Sequence, residues 1–219
     1  MKRGAKEWAA RITILLAGLV IAHLGVTLFL LSDLGSDPFN VFVQGVFRSL
    51  ERVLGWPVLT HGRVHIAISL LIVLVLLFVD RSYLKIGTAL CMIFGGPIID
   101  VFTSLLQPLL GGVGLFARVC MLVLGCGILA YGMTIVIRSD AGTGPNDLVA
   151  LVISEKRNFR FSLTRIAVDA LFALMGWILG GTVGAGTLVC MFLVGPVAGV
   201  FLPINGRLVD KLLRAVKGR

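Results

Sequence analysis

Six runs of mostly apolar residues divide the chain, at roughly 10–31, 64–80, 87–109, 113–137, 163–180 and 186–205. The hydrocarbon core of a bilayer takes about 20 helical residues to cross. Lipid offers no partner to a backbone N–H or C=O, so a run of this kind has to close its own hydrogen bonds as a helix. Six spans and short connections use up the 219 residues and leave no room for a sizeable soluble domain. Composition agrees: 58% of residues are apolar and 14% charged, where soluble domains carry about a quarter charged. The mean hydropathy is +1.01.

A net charge of +9 invites a nucleic-acid partner, but the charges sit at the ends of apolar runs, where topology signals belong. With a cytoplasmic N-terminus, one side collects Lys2, Arg3, Lys6, Arg11, Arg81, Lys85, Arg138, Lys156, Arg157, Arg160, Arg165, Arg207, Lys211, Arg214, Lys217 and Arg219. The other side holds Arg48, Arg52, Arg63 and Arg118. Sixteen against four is a clear bias, and both termini are expected in the cytoplasm. The first run is too long for a signal-peptide core and lacks a cleavage site, so it is expected to remain as a span. Cys91, Cys120, Cys126 and Cys190 lie inside apolar runs without metal-site spacing and read as packing residues. No cofactor and no metal are expected.

The chain also repeats itself. At a shift of 107, Arg11 meets Arg118, Gly18 meets Gly125, Gly25 meets Gly132, Ser32-Asp33 meets Ser139-Asp140, Gly35 meets Gly142 and Pro38 meets Pro145. At a shift of 99, "GTALCMIFGGPIIDVF" (87–102) lies on "GTLVCMFLVGPVAGVF" (186–201), and Arg63 meets Arg165 at a shift of 102. Each half is a span, a punctuated segment and two more spans. Three spans is an odd number, so the halves insert with opposite orientation, as in many secondary transporters. The expected fold is an all-α polytopic membrane protein of six transmembrane helices in two inverted-topology three-helix repeats, 1–110 and 111–219. The second repeat carries the cytoplasmic basic tail, and each has an extra amphipathic or re-entrant helix.

The punctuated segments are "SDLGSDPFN" (32–40) and "SDAGTGPND" (139–147). Pro38 and Pro145 suit the first turn of a helix, with Asp37 as a cap. The amphipathic stretches that follow are too polar to span alone. They either lie in the interface or dip back as half-helices, and a plain loop between spans is the simpler alternative. If they dip back, two helix N-termini converge and offer unpaired N–H groups to a solute. The candidate binding residues are Asp33, Gly35, Asp37 and Asn40 in the first copy, and Asp140, Gly142, Thr143, Gly144, Asn146 and Asp147 in the second. The carboxylates oppose a plain anion, so a cation, a zwitterion or a proton-coupled solute fits as well.

Asp100 joins this candidate set because it falls near the middle of the third run, where a charge costs roughly 2.5–3.5 kcal/mol. Its match in the second half is Gly199. Asp169 stands four residues after Arg165 and suits an ion pair along a helix. His23 and His65 read as hydrogen-bonded core residues. Gly96-Pro97 and Gly195-Pro196 interrupt the third and sixth runs, as packing kinks or as symmetric hinges.

Taken together, "DLGSDPFNV", "FGGPIID", "DAGTGPNDL" and "GTVGAGTLVCMFLVGP" resemble the YczE/YitT-like integral membrane proteins of bacteria. In that family the first copy usually reads Gly-x-x-Pro-Trp-Asp-Val and the second Gly-x-Gly-Pro-x-Asp. Phe39-Asn40 stands where the family has Trp-Asp, while 142–147 keeps the second pattern and Gly96-Pro97 with Asp100 matches Gly-Pro-x-x-Asp. The resemblance spans nearly the whole chain and implies a multi-pass membrane location.

The expected function is a small transporter or channel with a polar solute or ion site between the repeats. The alternative is a membrane substrate-binding or assembly subunit that works with a partner protein such as an external ATPase. The bilayer, a small solute or ion, and either a second copy or another membrane protein are the partner classes; nucleic acid is not. No HExxH, GxSxG or nucleotide loop points to an enzyme.

Overall fold

A computed structural model describes residues 4–55 and 61–217. Lys2, Arg3 and Arg219, counted among the basic flanks, lie outside the described residues. Among the described residues, eight α-helices follow in order: α1 (Ala5–Leu31), α2 (Pro38–Leu54), α3 (His61–Val79), α4 (Ile86–Leu110), α5 (Leu115–Ser139), α6 (Pro145–Arg157), α7 (Phe161–Ile178) and α8 (Ala185–Lys217). A short 3-10 turn, Arg81–Tyr83, joins α3 to α4. No strand occurs among the described residues. Six helices, all but α2 and α6, are long and apolar enough to cross a membrane. The protein is therefore an all-α, multi-pass membrane protein.

The bundle is built around α1 and α5, which pack antiparallel along most of their length. Glycines make this close approach feasible. A Cβ at Gly132 would overlap the backbone N of Ala22, and one at Gly125 would lie 2.7 Å from the carbonyl O of Gly25. Small residues at such seams let two backbones gain dispersion contacts that lipid cannot offer. On this pair α4 leans against α1 and α8 against α5, while α2 lies along α7 and α6 touches both α3 and α7. The main core joins α1, α2, α5, α7 and α8 through Phe29, Phe39, Val43, Cys126, Phe172 and Val194.

The two punctuated segments end α1 and α5 by the same device. Asp33 (φ 52°) and Asp140 (φ 55°) are left-handed, a conformation that Asp tolerates better than most residues. Gly35 (φ 149°) and Gly142 (φ 140°) then adopt a backbone that only glycine reaches without strain. Each glycine seats on the first turn of another helix: a Cβ at Gly35 would lie 3.0 Å from Thr187 N, and one at Gly142 would overlap Gly87 and Thr88. Matching backbone bonds lock the contacts, Gly186 N–H to Leu34 O at 2.8 Å and Gly87 N–H to Ala141 O at 2.8 Å.

The proline-bearing helices stay continuous. Pro97 and Pro196 lie inside α4 and α8, and both helices run through them without an unwound break. Gly195 packs on Ser162 O, whereas nothing lies within 4 Å of a Cβ placed on Gly96. The sixth span also runs further than its apolar stretch, because the basic tail continues α8 to Lys217.

Candidate functional site

Both short helices begin as their sequences require, but they do not lie flat on the bundle. Asp37 caps α2 by accepting from Asn40 N at 3.2 Å and from the Asn40 amide, with Pro38 in the first turn. Phe39 meets the ring of Phe172 edge-on at 5.3 Å, near the middle of α7. Further along α2, Ser49 Oγ donates to Leu179 O at 2.9 Å and Arg48 to Gly180 O at 2.6 Å, at the end of α7. Helix α2 thus points its N-terminus inward and its C-terminus out. Helix α6 does the same along α3: Leu148 and Val152 pack on Leu76 and Ile72, and Lys156 reaches Val79 O and the Asp80 carboxylate.

The two N-termini bring charge into the bundle interior. Arg165 of α7 is 6% exposed and Asp169, one turn on, 2%. Arg165 Nε donates to Asp169 Oδ2 at 2.9 Å, and its Nη1 donates to Asp147 Oδ1 of α6 at 2.5 Å. Asp37 of α2 lies within electrostatic reach of Asp169, and His23 of α1 within reach of Asp147. His23 Nδ1 bonds the carbonyl of Leu19 at 2.8 Å, which leaves Nε2 facing Gly95 of α4. Ionised, Asp147, Arg165 and Asp169 sum to a charge of −1. Burial of excess charge is costly, so the cluster favours a proton or a small cation over an anion.

Asp33 and Asp140 stand apart from this cluster, at opposite ends of the α1–α5 pair. Asp33 binds Arg118 at 2.9 Å, while Asp140 binds Lys85 and, at 3.4 Å, Arg11. They tie the ends of the central pair together and do not converge with Asp37 and Asp147. Asp140, Gly142 and Thr143 line a cavity of about 520 Å³ with Arg11, Tyr83, Lys85, Arg138, Glu155 and Asp210, and Leu148, next to Asp147, forms part of its wall. Nearby, Ser82 and then Lys156 hold the Asp80 carboxyl down to about 2, and desolvation with Glu155 pushes Tyr83 up to about 12. Thr143 is buried with an unpartnered hydroxyl. Gly144 precedes Pro145 and supplies no side-chain cap, and Asn146 and Asp147 form the first turn of α6.

Asp100 is exposed on the face of α4 turned away from α1, and it joins none of these groups. Hydropathy marks a carboxylate inside an apolar run but does not say which way the helix turns it. Conversely, Arg165 read as a cytoplasmic flank is in fact the buried centre of the cluster. Its signal was the Asp four residues later inside the same apolar run, together with the match to Arg63.

A family model matches residues 9–203. The chain belongs to the family of unknown function DUF6198. Among similar proteins, the uncharacterized membrane protein YczE of Bacillus subtilis (strain 168) is 29% identical over 206 residues, covering 94% of this chain and 91% of the relative. An uncharacterized protein of Haemophilus influenzae is 29% identical over 207 residues, 92% of this chain and 88% of the relative. Uncharacterized protein YyaS of Bacillus subtilis (strain 168) is 29% identical over 193 residues, 87% of this chain and 91% of the relative. The likeness to YczE agrees with the resemblance carried by the sequence motifs. No solved structure matches the chain.

Proposed function

We propose that the protein is a small inner-membrane transporter that couples a solute to a proton or small cation at the Asp147–Arg165–Asp169 cluster. The observation that carries this reading is the inward entry of α6, whose first turn brings Asp147 onto the buried Arg165–Asp169 pair of α7. Half-helices that begin inside a bundle place partial charges and carboxylates where a transported ion can exchange with them. The reading includes an inverted repeat of 1–110 and 111–219 with both termini in the cytoplasm. The paired contacts support it: Arg11 with Asp140 and Arg118 with Asp33 are the same tie made from opposite ends. The cavity beside Lys85 and Arg138 is then the cytoplasmic vestibule, and Gly96-Pro97 and Gly195-Pro196 are its flexible points.

Purified protein in liposomes under imposed H⁺, Na⁺ or K⁺ gradients tests this. Wild type is expected to pass one of these ions at a rate at least tenfold above Asp147→Asn, with both proteins equally monodisperse. Equal flux through wild type, Asp147→Asn, Asp169→Asn and protein-free liposomes would sink the reading. Recovery of flux only when a co-purified ATPase is supplied would replace it with a partner-dependent subunit.

A further inference from the structure

Helix α4 carries hydrogen-bonding side chains where a lone protein would show them only to lipid. Asp100, Ser104 and Gln107 follow one another at spacings of four and three, so they form one ridge along the helix. All three are exposed, on the side opposite Gly87, Thr88, Cys91 and Gly95, which bury against the bundle. Asp100 sits about 3 Å along the axis from the middle of the 25-residue α4. Among the described residues, neither the Asp100 carboxyl nor the Gln107 amide has a partner, and Ser104 Oγ donates only to its own turn, to Val101 O at 2.8 Å. Lipid tails satisfy none of these groups, and ionisable residues at that depth are nearly always turned to protein or water.

The second half does not leave its equivalent face open. Gly199, matched to position 100, meets α7 so closely that a Cβ would overlap Ser162 Oγ, and Ser162 Oγ donates to Gly195 O at 2.8 Å. Helices α7 and α8 pack together, whereas α3 and α4 hardly touch. A carboxylate at 100 in place of glycine rules out the same close seam in the first half. The face is therefore left for another chain to cover.

We propose that α4 is the seam of a homodimer, covered by α4 of a second copy running parallel to it about a twofold axis along the membrane normal. The basic-residue bias inserts every copy in one orientation, so two α4 helices in one membrane run parallel. A twofold axis places each residue beside itself and its neighbours one turn away. Asp100 of one copy then meets Ser104 of the other, and the reverse, and each Ser104 hydroxyl turns from Val101 O to donate to the facing carboxylate, giving two identical hydrogen bonds. Gly96, on the same side of the helix and with nothing near it in its own chain, lets the backbones approach. The ridge is self-complementary, which favours a second copy over an unrelated chain.

Cysteine cross-linking in native membranes tests the seam, with the four native cysteines replaced by alanine. On oxidation, Ser104→Cys is expected to give a disulfide-linked dimer at a yield at least tenfold above Leu105→Cys on the flank of α4 and Phe78→Cys on α3, both exposed controls. Single-molecule photobleaching of the cysteine-intact protein in liposomes counts copies independently. It is expected to show two per particle for wild type and Asp100→Asn, and at least tenfold weaker association for Asp100→Leu. Single copies of wild type, cross-linking at Phe78→Cys in preference to Ser104→Cys, or capture of Ser104→Cys on a different polypeptide would overturn the homodimer.

Discussion

Arg165 shows how one side chain organises the interior. Its guanidinium bridges carboxylates from two helices, and all three groups are largely shielded from solvent. Removing one partner of a buried pair leaves the rest uncompensated, at a cost of about 3–5 kcal/mol. Arg165→Ala is expected to lower the thermal unfolding midpoint by on the order of 10 °C, read by intrinsic fluorescence in detergent. Arg165→Lys keeps the charge but not the two-sided fork, so a smaller loss is expected; equal midpoints for all three proteins would show that the pairs contribute nothing. The pairing of Arg165 with Asp169 was legible in the sequence because four residues on a helix bring side chains together. Its second partner, Asp147, was not, since that contact depends on how α6 enters the bundle. Asn40 occupies the corresponding place in the first half and caps its own helix with Asp37, so the interior charge is one-sided.

At the level of elements, the seam between α1 and α5 is the most extensive helix contact among the described residues, and glycines set it. Gly132→Val places a branched side chain against the backbone of Ala22, and overpacking of this kind costs about 1–3 kcal/mol or more. Gly127→Val, on the same helix with nothing within 4 Å of its Cβ position, is expected to change stability by less than about 0.5 kcal/mol. The pair separates seam packing from any general effect of valine in α5, and comparable melting curves for both would remove the seam argument. Both glycines stand in the sequence, but only the first recurs in register with the first half, at Gly25. The two short helices were legible as helices from Pro38, Pro145 and the Asp37 cap. Their inward tilt was not, because an amphipathic pattern looks alike in an interfacial helix and in one packed along α7.

For the whole molecule, the α1–α5 pair carries an acid–base tie at each end, Arg118 with Asp33 and Arg11 with Asp140, the second shared with Lys85. If the halves are inserted oppositely, these ties and the helices beside them face opposite sides of the membrane. A membrane-impermeant thiol reagent is expected to label Glu51→Cys, exposed on α2, in intact cells. Arg157→Cys, exposed at the end of α6, is expected to react only after permeabilisation. Labelling of both from one side would remove the inverted insertion, and the reverse pattern would invert the proposed topology.

The amino-acid order is enough to decide the solvent, the number of spans and where the two short helices begin. These follow from local chemistry: apolar length against bilayer thickness, proline at a first turn, and Asp-x-Gly where the backbone turns left-handed. It did not determine which way any helix is rotated about its axis. Rotation is set by packing across the bundle, by Gly25 on Gly125, Gly45 on Gly176 and Gly199 on Ser162. That packing turned Arg165 and Asp147 inward as a pair and turned Asp100 outward. Two carboxylates in apolar surroundings look alike along the chain, and only the tertiary structure gave one a buried cation and left the other facing the membrane.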